Sequence, residues 1–139
     1  MYELAITPNA EADIKKLFAT DPKSASVVMA YLGEIADDQY LLESLSVPDF
    51  EEADEKFNVS QVYALQDSGW NVWRLKLFVL EPRKRLLDHR VLYAFDTRKR
   101  IYHVLAVMHR DQDYEKDKQL IARIKADYDR LGIYHPPAH

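Results

Sequence analysis

The chain has 139 residues, 47% of them hydrophobic and 30% charged, with no cysteine and a formal net charge of −4. This is the composition of an ordinary globular protein of one domain, spanning 1–139, and it excludes disulfide scaffolds and thiolate metal centres. The small net charge conceals a division: residues 1–69 hold four Lys, no Arg and 14 acidic residues (−10), whereas residues 70–139 hold 15 basic and nine acidic residues (+6).

The opening MYELAITPNAEADIKK turns polar within a few residues. No signal peptide or membrane helix is expected, and a reducing cytoplasm is the expected compartment. Tyr2 to Thr7 alternates as a short strand does. Ile14, Leu17 and Phe18 then fall on one helical face, and Asp21-Pro22 separates a second helix carrying Val27, Val28, Tyr31, Leu32 and Ile35. Together they predict a helical hairpin after the first strand.

Residues 38–69 have mixed patterning, with the acidic run DFEEADE at 49–55, and read as a short helix followed by a strand. From Asn71 the pattern is clear. Three strands are expected at 71–80, 88–96 and 101–109, joined by a basic loop around Pro82 and a tight turn at 97–100. Tyr114 to Leu131 has helical spacing, Gly132 ends it, and the tail YHPPAH is expected to be loose. The predicted class is α+β: an N-terminal strand and helical hairpin packed on a mostly antiparallel sheet of about four strands, with a C-terminal helix. Helices gathered on one sheet face would leave the other to line a groove.

There is no phosphate-binding glycine loop, no His-Glu-x-x-His motif, and no zinc spacing among the five histidines. No metal and no cofactor is therefore expected. The cations are more informative. Every arginine lies after residue 69, and arginine is the side chain suited to bidentate phosphate contact. Arg74 and Lys76 share one face of a strand whose other face is apolar, Arg90 lies in the next strand, and Arg110 ends the third. If the strands pair, four cations meet on one surface, with Tyr114 just beyond. Such a group suits a phosphodiester: cations stabilise the charge of a pentacoordinate transition state and lower the pKa of a nearby lysine or phenol. An RNA 2′-hydroxyl then serves as internal nucleophile without metal. A solvated strand face is the alternative, and periodicity alone does not establish convergence.

Residues 73–114 resemble the RelE/ParE toxin superfamily. WRLKL at 73–77 is similar to its strand of alternating basic and apolar residues, HRVLYAFD at 89–96 to its YRVIY-x-x-D strand, and IYHVLAVMHRDQDY at 101–114 to its V-x-HRRDVY ending. YELAITPNAEADIKKL at 2–17 resembles its first strand and helix. The resemblance implies a RelE-like toxin of a toxin–antitoxin system, an mRNA interferase that cleaves mRNA on the ribosome and is held by a cognate antitoxin. It implies Lys76 as general base or as stabiliser of the activated 2′-hydroxyl, Arg90 and Arg110 as phosphate ligands, Tyr114 as the residue that stacks on a base, and Arg74 as an RNA contact. The loop residues Arg83, Lys84 and Arg85 are expected to contact RNA or antitoxin. Departures are the net acidity, the acidic insertion at 38–69 and the longer loop at 78–88. They keep two alternatives open: a ParE-like inhibitor of a topoisomerase, and a non-toxic binding protein of the same fold.

Overall fold

The computed structural model describes residues 1–52, 56–112 and 116–137. The chain opens with β1 (Glu3–Ile6), followed by α1 (Pro8–Thr20) and α2 (Pro22–Ala36). Each helix has proline at its first position, where the missing N–H costs nothing, and a capping side chain before it. Thr7 accepts from the Ala10 amide and Asp21 from the Ser24 amide. With Asp21 the only residue between them, the two helices form the expected hairpin.

The segment at 38–69 contributes a strand to the sheet. A short helix, α3 (Gln39–Ser44), buries Leu41 and Leu42, and β2 (Phe57–Gln61) becomes an edge strand. A single turn, α4 (Tyr63–Gln66), leads into the meander of β3 (Val72–Val79), β4 (Arg85–Asp96) and β5 (Ile101–His109), and α5 (Lys118–Arg130) follows. The α+β class is as predicted, with five strands instead of four in the order β1-β5-β4-β3-β2. β1 runs parallel to β5 and every other pairing is antiparallel.

The helices do not gather on one face. Alternation along the strands divides the apolar residues into two cores. Trp73, Leu75, Leu77, Val91 and Tyr93 pack under α1, α2 and α3, while Leu92, Ala94, Ala106 and Met108 pack under α5. α5 therefore covers the β5 end of the second face, and the expected groove is confined to the β2–β3–β4 end. The loop at 81–86 is also shorter than expected, because Arg85 and Leu86 already pair with Val79 and Phe78. The tail is docked. The Tyr134 carbonyl accepts from the Tyr128 hydroxyl at 2.5 Å, and the His135 ring packs edge-on against Trp70 at 4.5 Å.

One ion pair joins the two sides. β1 pairs with β5 only as far as Val104, leaving the rest of that edge uncovered. There the Asp13 carboxylate accepts from the Val107 amide at 3.0 Å, and Arg123 donates to the Leu105 carbonyl at 2.8 Å. The two side chains also form a bidentate pair at 2.7 and 3.0 Å, tying α1 to α5 around the sheet edge. Among the described residues, no helix is long and apolar enough to cross a membrane. Replacing Asp13 by alanine leaves an amide and a guanidinium unsatisfied at a half-buried edge. Urea denaturation should show a loss of about 2–3 kcal/mol, whereas Lys15→Ala on the exposed side of α1 should stay within about 0.5 kcal/mol of wild type.

Candidate functional site

Side chains directly opposite on paired strands point to the same face. The register therefore fixes two rows across the face that α5 covers at its β5 end. One row runs Asn58, Lys76, Arg90 and Met108; the next runs Ser60, Arg74, Leu92 and Ala106. Arg74, Lys76 and Arg90 thus meet on one face, because their apolar alternates (Trp73, Leu75, Val91) are drawn into the core under the hairpin.

The three are held differently. Arg74 donates from Nε to the Ser60 hydroxyl at 3.1 Å, so β2 steadies it from the side. Arg90 is buried, and its Nη1 donates to the Leu87 carbonyl at 2.6 Å. The β3–β4 register shifts between Lys76 and Phe78, opposite that carbonyl, and the guanidinium stitches the irregular stretch to its own strand. Arg90 therefore acts on its surroundings chiefly as a fixed positive charge. Lys76 is half-buried between them, and burial, followed by the charges of Arg74 and Arg90, holds its ammonium below the ordinary lysine pKa.

Arg110 sits at the rim. Its amide donates to the Asp88 carbonyl at 2.7 Å, and its Nε lies 3.5 Å from the Asp88 carboxylate. Both groups are more than half exposed, so this ion pair exchanges readily with water or a competing anion. Tyr114 lies outside the described residues, as does Asp113. The basic loop does not act as one unit. Arg83 is exposed, Lys84 lies over the Phe78 ring at 4.7 Å, and Arg85 lines a groove with Lys23, Ser24 and Val27 of α2. Arg85 is thus on the hairpin side of the sheet, away from the three central cations. The reason is the strand start at 85, which turns its side chain with those of the core face.

Two groups of residues at the site escaped the sequence reading. Asn58 and Ser60 flank the cations from β2, and the alternation of FNVSQ was the signal for them. On the hairpin side, His89 and His109 pair edge to face at 5.2 Å and line a cavity of about 370 Å3 with Asp13, Lys16 and Arg123. Burial and the neighbouring His109 lower the His89 pKa. Among the described residues, no group of three or more His, Asp or Glu side chains converges as a metal site would.

Charge also divides across the sheet. Glu11, Glu34 and Glu43 lie on the helices of the hairpin side, and Asp21 lies between two of them. Arg74, Lys76 and Arg90 occupy the other side. The molecule is thus electrically two-faced despite its small net charge.

No protein-family model and no curated protein matches the chain. Among solved structures, it is similar to a chain of the toxin–antitoxin complex RelBE2 from Mycobacterium tuberculosis, with 18% identity, a TM-score of 0.38, and coverage of 78% of this chain and 91% of that chain.

Proposed function

We propose that the open sheet face binds the RNA phosphodiester backbone and that Lys76 promotes metal-independent cleavage by the adjacent 2′-hydroxyl. The observation that carries this reading is the placement of Lys76 opposite Arg90 and beside Arg74 on one face of the sheet.

Each group has a role that fits its environment. Arg74 and Arg110 contact phosphate from the two sides. Arg90, held by the Leu87 carbonyl, supplies fixed positive potential where charge develops on the non-bridging oxygens. Lys76, with a lowered pKa, has a larger neutral fraction than an exposed lysine and accepts the 2′-hydroxyl proton. The products of such an attack are a 2′,3′-cyclic phosphate and a free 5′-hydroxyl.

The resemblance of residues 73–114 extends the proposal. The chain would be the toxin of a toxin–antitoxin pair, an endoribonuclease acting on mRNA in the cytoplasm at the ribosome and held inactive by a cognate antitoxin. Tyr114 would stack on a base, as that resemblance implies. The exposed basic residues Arg83 and Lys84 are the loop positions best placed to extend the contact.

Three outcomes test this reading. Lys76→Ala should lower single-turnover cleavage of a translated message by about 10²–10⁴-fold, read by primer extension, and should relieve growth arrest on induction. RNA binding that survives in wild type with no cuts would instead favour a binding module that performs no chemistry. The rate should rise with pH while Lys76 loses its proton and level off below the ordinary lysine value of 10.5. Lys76→Arg should abolish that rise, because a guanidinium stays protonated throughout the range. A pH profile shared by wild type and Lys76→Arg would remove Lys76 from the proton-transfer step. Arg110→Ala should weaken RNA binding several-fold and leave the urea midpoint unchanged, since its partner Asp88 is itself exposed.

A further inference from the structure

The basic face does not end at β2. The Val59 amide donates to the Phe50 carbonyl and the Glu52 amide to the Phe57 carbonyl, at 2.8 and 3.0 Å. This places Glu51 antiparallel to Asn58 in an isolated bridge. The row through Asn58, Lys76 and Arg90 therefore begins one position earlier, at Glu51. Two inter-strand steps put the Glu51 and Lys76 backbones about 10 Å apart. Between them lies an open cleft of about 240 Å3, roughly eight water volumes, lined by Asp49, Glu51, Asn58, Ser60, Arg74 and Lys76.

Along this row, chemistry changes in a set order: a carboxylate at Glu51, an amide at Asn58, then a cation at Lys76, with Arg74 in the neighbouring row. A bare anion would be attracted at one end and repelled at the other. A ligand that suits the whole cleft carries paired hydrogen-bond donors, an acceptor beside them, and an anion one strand farther on. A nucleotide with guanine as its base has that order. Its N1–H and N2–H donate together to a carboxylate, O6 accepts from an amide, and its phosphate reaches the cations. Adenine and cytosine offer one amino group each. Uracil offers only N3–H, set between two carbonyl oxygens that a carboxylate repels.

We infer that the cleft between Glu51 and Lys76 is a nucleobase subsite that selects guanine, with Glu51 reading the base edge and Asn58 its carbonyl. This rests on the proposed RNA-binding reading and adds base selection to it. Glu51 is exposed and takes no part in either core, so Glu51→Gln preserves the fold while removing the acceptor pair.

The test uses the full chain and non-cleavable 2′-O-methyl hexamers of uridine carrying one central G, A, C or U, read by fluorescence anisotropy. Wild type should bind the G hexamer about tenfold more tightly than the U hexamer, with A and C between. Glu51→Gln should bring the four to within about twofold of one another without weakening the U hexamer. Equal affinities in wild type would overturn the base subsite. So would a Glu51→Gln variant that tightens all four hexamers alike, for then the carboxylate only repels phosphate. Arg74→Ala with Lys76→Ala separates the two levels. If the pair weakens all four hexamers while base preference is absent, the RNA-binding face stands and the subsite falls. If the pair changes nothing, the RNA-binding reading itself falls.

Discussion

The pairing of β3 with β4 is the constraint on which the rest depends. Leu75 opposes Val91 in the core beneath the hairpin, and one residue along, Lys76 opposes Arg90 on the other face. A one-residue slip would expose the apolar set and bury the cations, at a cost no globular core tolerates. The burial that stabilises the hairpin side therefore also fixes the juxtaposed charges on the open side. Fold and site share a single register.

Two devices limit the price of that juxtaposition. Arg90 turns its Nη1 onto the Leu87 carbonyl, which gives the buried guanidinium a polar partner. Lys76 has its pKa lowered by burial and by the two arginines, so its charge is the one most easily given up. The same features that relieve the resting sheet make Lys76 a usable proton acceptor. At the other end of the sheet, α5 covers Leu92, Ala94 and Met108, and the Asp13–Arg123 pair closes the uncovered edge of β5. Among the described residues, Arg74 and Lys76 lie between α5 on one side and the Glu51 segment on the other.

Much of this was legible in the sequence. Alternation in NVWRLKLFVL and DHRVLYAF placed the apolar and basic residues on opposite faces, and the short connections gave an antiparallel meander. Proline and capping residues located the hairpin. Other features depend on contacts that periodicity does not encode. α5 crossed to the second face because the residues alternating with the cations become apolar toward β5, at Leu92, Ala94, Ala106 and Met108. The burial of Arg90 follows from an irregular stretch of β4, and the docking of His135 on Trp70 from a long-range contact. Residues 38–69 looked like an insertion because acidic residues obscured the alternation of Phe57 and Val59, which complete the sheet.

The dependence of RNA affinity on salt tests the central claim most directly. Each phosphate contact made by a lysine or arginine adds about −0.7 to the slope of log K against log salt for a single strand. Arg74→Ala with Lys76→Ala should therefore make the slope shallower by about 1.4, with the circular-dichroism spectrum unchanged. A slope identical to that of wild type would mean that these side chains touch no phosphate, and would contradict the assignment of this sheet face as the RNA site.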